Sequence, residues 1–293
     1  MRTKACVSLL SVALLVTACA STPQAATVDV ASQWRQQVID ISAGDDTAAR
    51  GLAIKQRLSL LELKPREESF VAGKFNGTNL LADLGGPPDA PLLLIGAHYD
   101  RVVQGRGATD NASGSAAVLE LAAALKARPL RNHRVAVAFW DLEERGLLGA
   151  KAYVADSKSE KPALYVNFDV FGWGDTLWMM RPSATPWLDA ETTAAAKANS
   201  VGLSAGEQYP PTDHLAFLAA KWPAVSFSLV GKDEIDGILA AFKGNQAESG
   251  MPKVMAVIHS DRDTVDELDA TDIPAALRTI EDALRAWDAT SGK

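Results

Sequence analysis

The stretch PLLLIGAHYDRVVQGRGATDNASGSAAVLELAAAL, from Pro91 to Leu125, contains the pattern on which the fold prediction depends. It opens with a continuous apolar run that ends in His98, which is typical of a strand buried on both faces. It closes with a run rich in Ala and Leu, which predicts a helix near Ser113–Lys126. A buried strand followed by a helix is the first half of a βαβ unit, from which parallel sheets are built.

The same alternation continues to the end of the chain. Between helical segments lie four more apolar runs: RVAVAFWD (134–141), ALYVNFD (163–169), PAVSFSLV (223–230) and KVMAVIH (253–259). We interpret each run as a strand. Upstream, ESFVAGKFNGTNLLADLGG (68–86) predicts two strands around Asn76-Gly77, a dipeptide typical of hairpin turns. Continuous apolar strands between helices indicate an α/β fold with a largely parallel sheet covered on both faces.

Composition excludes one class of partner. Of the 293 residues, 47% are hydrophobic, which is enough for a full hydrophobic core. The formal net charge is −7, and no basic stripe runs along the sequence. We therefore expect no nucleic-acid partner.

The N-terminus resembles an export signal. MRTKACVSLLSVALLVTACAS (1–21) has basic residues, then an apolar run, then small residues, and it is too short for a comfortable membrane span. Its VTAC ending at Cys19 resembles the bacterial lipobox, in which the Cys is acylated and becomes the new N-terminus. A plain signal peptide with a chance Cys is the alternative. We predict a lipoprotein signal peptide over 1–18, a tether over 19–30 and a single domain over 31–293.

This reading implies an exported protein, held in the bacterial cell envelope by a lipid anchor at Cys19. Stable anchoring requires two or more acyl chains. Cys6 would be removed with the signal, which leaves Cys19 without a disulfide partner. The stability of the mature chain must then come from its core, with a metal as a further contributor.

Polar side chains follow the predicted strands where each one ends. The first strand ends in His98, the second is followed by Glu143 and Glu144, the third ends in Asp169, and the last ends in His259. Asp110 precedes the first helix. Since sites in open α/β sheets form beyond the carboxyl ends of the strands, we expect all of them to converge at one edge.

Each residue alone has an ordinary explanation. Asp110 is suited to a helix cap, and Glu143-Glu144 to a solvated turn. Together, however, several carboxylates at one crevice could not all remain ionised without protons or cations among them. Mixed imidazole and carboxylate ligands suit zinc, with cobalt or manganese as substitutes.

Five motifs, in this order, resemble the secreted bacterial two-zinc aminopeptidases of metallopeptidase clan MH. They are GAHYD (96–100), GATDNASG (107–114), DLEERGLLGAKAY (141–153), NFDVFG (167–172) and IHSDRDTVDELD (258–269). The resemblance covers about Ala72 to Trp287. It implies a zinc-exopeptidase-like three-layer αβα sandwich with a largely parallel mixed sheet, and an enzyme that hydrolyses N-terminal residues from peptides.

The resemblance also assigns metal ligands. It implies that His98 and Asp169 bind one of two zinc ions per chain, that Glu144 and His259 bind the other, and that Asp110 bridges both. The small residues around Asp110 would leave room for that bridge. A cap bonds only to backbone amides, whereas a bridging carboxylate must reach two metals.

Other residues receive supporting or catalytic roles from the same resemblance. Asp100 would accept the free ring N–H of His98 and fix its tautomer, and Asn111 would orient the turn. Glu143 would be the general base, and later the general acid, for water held between the zinc ions. Tyr209, in YPPTDHLAF (209–217), would hydrogen-bond the substrate oxyanion, with packing of its ring as the alternative.

Five further residues are expected to stay outside the metal shell. Asp213 and His214 would lie near the site without binding metal, and His133 would be a surface residue. Asp263, like its neighbour Asp261, would either support His259 or be a solvated loop acid.

Two alternatives to a two-zinc aminopeptidase remain. A glutaminyl cyclase has the same fold but uses one zinc and lacks the DNxSG form, so Asn111 and Gly114 argue against it. A lipid-anchored binding protein that has lost catalysis typically lacks a ligand or the base. Here the five ligands and Glu143 are all in place.

Overall fold

We describe a computed structural model, which covers residues 29–185, 187–245 and 250–291. The predicted signal peptide and the predicted acylation site Cys19 lie outside these residues, as does nearly all of the predicted tether. Among the described helices, none combines the length and the apolar character that a membrane crossing requires.

One eight-stranded sheet organises the described residues. Its strands, in chain order, are β1 (Arg66–Ala72), β2 (Phe75–Gly85), β3 (Leu92–His98), β4 (Arg134–Trp140), β5 (Leu164–Phe171), β6 (Thr176–Met180), β7 (Gly202–Gly206) and β8 (Ala224–Val230). Their spatial order is β1-β2-β4-β3-β5-β8-β6-β7. The central strands β4, β3, β5 and β8 are mutually parallel. On either side of this group, β2 pairs antiparallel with β4 and β6 pairs antiparallel with β8.

Helices cover both faces of the sheet. They are α1 (Val30–Ser42), α2 (Thr47–Leu60), α3 (Ser113–Ala127), α4 (Leu148–Ala155), α5 (Asp189–Asn199), α6 (His214–Ala219), α7 (Ile235–Phe242), α8 (Lys253–Val257) and α9 (Ile273–Ser291). One hydrophobic core contains residues of α1, α2, α3, α5 and α9, and a second contains residues of α4 and α6. The predicted three-layer αβα sandwich with a mixed, largely parallel sheet is confirmed.

Local sequence explains where the first helices begin. Asp29 precedes α1 and accepts a hydrogen bond from the backbone N–H of Ala31. Asp46 precedes α2 and accepts one from Ala49 at 2.8 Å. Such caps satisfy amides that have no partner within the helix. In β3 and β8 every residue is buried, as expected for strands covered on both faces.

Three details of the prediction are wrong. The run before His259 is helix α8, because its buried residues Val254 and Val257 are three positions apart, on one helical face. The hairpin turns at Gly73, whose φ of +60° suits glycine, and Asn76-Gly77 lies within β2. His133 is buried rather than at the surface, with its Nδ1 2.9 Å from Asp288 and its ring stacked on Trp287.

Candidate metal centre

The carboxyl ends of the central strands bring the predicted site residues together. His98 is the last residue of β3, and Asp169 lies near the end of β5. Glu143 and Glu144 form a short turn after β4. His259 follows α8 rather than a strand, yet it reaches the same edge of the sheet.

Two groups of potential ligands share one carboxylate. His98, Asp110 and Asp169 form the first group, and Asp110, Glu144 and His259 form the second. Nε2 of His98 lies 3.1 Å from Asp110 Oδ1 and 3.6 Å from Asp169 Oδ1. Nε2 of His259 lies 3.1 Å from both Asp110 Oδ2 and Glu144 Oε2. Each oxygen of Asp110 therefore faces a different group.

Asp110 is not a helix cap. Its φ and ψ of −117° and 91° are non-helical, and α3 begins three residues later. The neighbouring Asn111 holds this turn, because its Oδ1 accepts hydrogen bonds from the N–H groups of Gly114 and Val170. Its Nδ2 donates to the carbonyl of Phe168. Asn111 thus joins the Asp110 turn to strand β5, which carries Asp169.

Two glycines make this turn possible. Gly107 adopts a φ of +59°, in the left-handed region that side chains disfavour. A Cβ added at Gly114 would lie 2.3 Å from Asn111 Oδ1, a clash with the group that holds the turn. The small residues around Asp110 therefore have a steric role.

Asp263 and Asp100 hold the loops that carry the proposed metal ligands. Neither carboxylate is itself predicted to bind metal. Asp263 accepts the backbone N–H of Thr109 at 2.6 Å and that of Asp110 at 3.2 Å. It is buried and supports the Asp110 turn, so neither expectation for it is right, whereas Asp261 is exposed. Asp100 accepts the N–H groups of Glu143 and Glu144 at 3.0 and 3.2 Å, and its Oδ1 lies 3.3 Å from Nδ1 of His98.

Strained backbone adjoins three of the site residues. Leu142 before Glu143, Val170 after Asp169 and His259 itself have φ values of 59°, 55° and 57°. A β-branched residue such as Val rarely adopts this conformation, and such strain concentrates at functional sites. Near Val170 the register between β5 and β8 shifts, which is the mark of a bulge that re-aims a side chain.

A buried arginine braces the loop between His98 and Asp110. The Arg50 side chain on α2 is fully buried and donates to three backbone carbonyls, those of Tyr99, Arg106 and Gly107. Burial lowers the pKa of Arg50 to about 10, which leaves it charged at neutral pH. On α1, the indole of Trp34 donates to the carbonyl of Ser113 at 3.1 Å. The first two helices therefore hold both ends of the segment that contains Asp110.

We expect Arg50→Met to destabilise the protein by about 2–4 kcal/mol, because it leaves buried carbonyls without donors. Denaturant unfolding measures this change. The matched control is Arg57→Met on the same helix, which removes a partly exposed ion pair with Asp40 and should cost less than about 1 kcal/mol. Equal stability of the two variants would contradict the bracing role of Arg50.

The charges of the site are not balanced by protein groups alone. Burial raises the pKa of Glu143 well above its usual range; the charge of His98 opposes this shift, and neighbouring carboxylates add to it. Burial likewise raises the pKa of Asp213, whose two carboxylate oxygens have no hydrogen-bond partner among the described residues. Like charges at this density favour bound cations.

The donor atoms fit zinc. Ligands at about 2.0–2.1 Å around a tetrahedral ion are separated by roughly 3.3 Å, and the separations here run from 3.1 to 3.6 Å. Both ring nitrogens of His98 are buried and have no hydrogen-bond partner among the described residues, although carboxylate oxygens lie close by. Mixed nitrogen and carboxylate ligands suit zinc.

A cavity of about 120 Å³ opens beside the two ligand groups. Glu143 and Tyr209 line it, together with all of the potential ligands except His98. Asp213 and His214 are buried and belong to neither ligand group.

The sequence does not predict the roles of Arg50 and Ser228. The hydroxyl of Ser228 forms hydrogen bonds with Tyr209 and with the carbonyl of Asp169.

Comparison with known proteins gives one family match. Peptidase family M28 matches residues 79–284, most of the chain and all of the residues in the two ligand groups. The probable lipoprotein aminopeptidase LpqL of Mycobacterium tuberculosis is 42% identical over 99 residues, which are 33% of this chain and 20% of that protein. The chain spans less than a third of the length of the curated relatives that it matches first.

Solved structures share the fold. BSAP, a zinc aminopeptidase from Bacillus subtilis, is similar with a TM-score of 0.60 at 21% identity, covering 73% of this chain and 51% of that one. The glutaminyl cyclase of Porphyromonas gingivalis is similar with a TM-score of 0.68 at 17% identity, covering 90% and 100%. At these identities the likeness concerns the fold alone.

Proposed function

Because the chain belongs to peptidase family M28, we propose that it is a zinc-dependent aminopeptidase that releases N-terminal residues from peptides. The observation that supports the proposal is the pair of ligand groups that share Asp110. One zinc ion would be held by His98, Asp110 and Asp169. The second would be held by Asp110, Glu144 and His259.

Glu143 is the proposed general base. It lines the cavity and adjoins the ligand Glu144 in sequence, while Asp100 holds the backbone of both residues. When bound, zinc ions supply Lewis acidity, which polarises the scissile carbonyl and lowers the pKa of a nearby water. Glu143 accepts a proton from the attacking water and returns it to the leaving amine. No covalent bond between enzyme and substrate is needed.

Charge explains why the N-terminus would be the end that is cut. The carboxylates of Asp110, Glu143, Glu144 and Asp169 would balance two divalent cations, and the two His ligands would be neutral. The site would then carry no net positive charge, so it would favour an amino group and disfavour a peptide carboxylate. LpqL and BSAP are both described as aminopeptidases, in agreement with this proposal.

We expect N-acetylation of a substrate to lower kcat/KM by at least about tenfold. A charge-assisted hydrogen bond of about 1.5–3 kcal/mol would be lost with the amine. The measurement compares leucine p-nitroanilide with its N-acetyl form, in the zinc-loaded enzyme and after treatment with a chelator. Equal cleavage of both forms, release of residues from the C-terminus of peptides, or full activity in the chelator would each refute the proposal.

A glutaminyl cyclase is the second candidate, favoured by its similar fold over most of this chain. The two ligand groups favour the two-zinc enzyme, since a cyclase would use one zinc. Metal analysis of the active protein separates them: about two zinc ions per chain support the aminopeptidase, and one supports the cyclase. A binding protein would turn over neither substrate.

We also propose that the mature protein is exported and anchored by a lipid at Cys19. The sequence VTAC supports this, and the similar LpqL is described as a probable lipoprotein. We expect Cys19→Ser to abolish acylation and leave the protein unprocessed or released from the membrane. Mass spectrometry of the native N-terminus tests this, and an unmodified N-terminus at another residue would refute it.

A further inference from the structure

A pair of hydroxyl groups lies at the edge of the cavity. Ser228 is on β8, Tyr209 lies between β7 and α6, and both line the cavity that contains Glu143. The ring of Tyr209 packs against Trp178, with 4.8 Å between centroids, and meets the edge of His214 at 5.7 Å. These contacts fix the ring, so the hydroxyl of Tyr209 stays beside Ser228.

The direction of the hydrogen bonds in this pair follows from counting protons. Ser228 donates its one hydroxyl proton to the backbone carbonyl of Asp169, which has no proton to return. The Oγ of Ser228 also bonds the hydroxyl of Tyr209. Because the proton of Ser228 is already committed, Tyr209 must be the donor in this second bond.

Tyr209 then has no proton left for the cavity. What its oxygen offers there is a lone pair, which accepts hydrogen bonds but does not donate them. An oxyanion requires donors, so this arrangement does not suit oxyanion stabilisation. An amino group supplies N–H donors and does suit it.

We propose that Ser228 is a positioning residue that orients Tyr209 as a hydrogen-bond acceptor for the amino group of the substrate. This proposal rests on the proposed aminopeptidase function and concerns the same site. It differs from the oxyanion role that the family resemblance implies for Tyr209. Ser228 also ties this acceptor to the backbone of Asp169, so the proposed ligand and the amine-binding oxygen are held together.

The test is steady-state kinetics on leucine p-nitroanilide and on its des-amino analogue, 4-methylpentanoyl p-nitroanilide. For Tyr209→Phe we expect KM for the amino substrate to rise about 10–100-fold with kcat nearly unchanged, because uniform binding is lost. The des-amino analogue should show no change in kcat/KM. Ser228→Ala should raise KM for the amino substrate about 2–10-fold, and Ser228→Thr, which keeps the hydroxyl, should restore the wild-type value.

Tyr153→Phe is the matched control. Its hydroxyl donates to the carbonyl of Glu160 at 3.2 Å, and Tyr153 does not line the cavity, so both constants should stay at wild-type values. A fall in kcat of about 100-fold at constant KM for Tyr209→Phe, on both substrates, would overturn the proposal and restore the oxyanion role. Wild-type kinetics in Tyr209→Phe would also overturn it. A wild-type protein that cleaves neither substrate would instead refute the aminopeptidase function, and this inference with it.

Discussion

Glu143→Gln is expected to lower kcat by about 10²–10⁴-fold while the protein keeps its fold and its full complement of zinc. A positioned acid–base group contributes an effect of this size, and glutamine has nearly the same shape but cannot accept the proton. Glu143 belongs to neither ligand group, so its replacement should not release metal. The measurement combines turnover of leucine p-nitroanilide with metal analysis of the same sample.

The matched variant is Glu144→Gln, one residue further along the same turn. Asp100 holds the backbone of both residues, but only Glu144 lies within 3.1 Å of His259. Glu144→Gln should therefore lose activity together with metal, whereas Glu143→Gln should lose activity alone. Near-normal turnover in metal-replete Glu143→Gln would remove this residue from the mechanism.

Asp110→Asn should have a comparably large effect for a different reason. The amide keeps the shape of the side chain but removes its charge and replaces one oxygen with a donor. Because each oxygen of Asp110 faces a different ligand group, we expect tight binding of at most one zinc ion. We expect kcat/KM to fall by at least about 100-fold, since even changes outside the ligand shell cost 10–100-fold in affinity or activity.

Zinc titration by calorimetry, with activity measured on the same samples, checks this prediction. Asp261→Asn is the control, since Asp261 is an exposed carboxylate only two residues from His259. It should bind two zinc ions and keep its activity. Two tightly bound ions in Asp110→Asn would mean that Asp110 does not bridge them.

The sequence predicts the centre of the sheet better than the edge formed by β6 and β7. Strands β3, β4, β5 and β8 are long apolar runs, and burial on both faces explains that pattern. Strand β7 reads GLSAG, which has neither alternation nor β-branched residues, so nothing in its sequence indicates a strand. The sequence pattern does not predict its neighbour β6 either, although all five residues of β6 are buried.

For the site, the type of a residue predicts its location better than the secondary structure predicted around it does. His259 lies with Glu144 and Asp110, although the predicted strand before it is a helix. A short apolar run fits a buried helix as well as a strand, so periodicity alone could not decide. The side chain is nonetheless carried to the same edge of the sheet.

The supporting residues could not be predicted in the same way. Arg50 bonds to backbone carbonyls 49 to 57 positions away, and every residue has a carbonyl, so no sequence pattern marks its partners. Asp263 bonds to backbone amides and raises the same difficulty. The tertiary fold alone selects such partners.

The contacts of α1 and α2 with the loop around Asp110 determine how far the N-terminus of this protein can be truncated. The matched family segment begins at residue 79, whereas Trp34 and Arg50 precede it. A recombinant fragment trimmed to that segment would retain every proposed ligand but lose the donors that hold the loop around Asp110. It would also lose β1 and the first residues of β2, and it would leave the rest of β2 as an unprotected edge. The segment that matches the family is thus smaller than the unit whose contacts hold the proposed metal site in place.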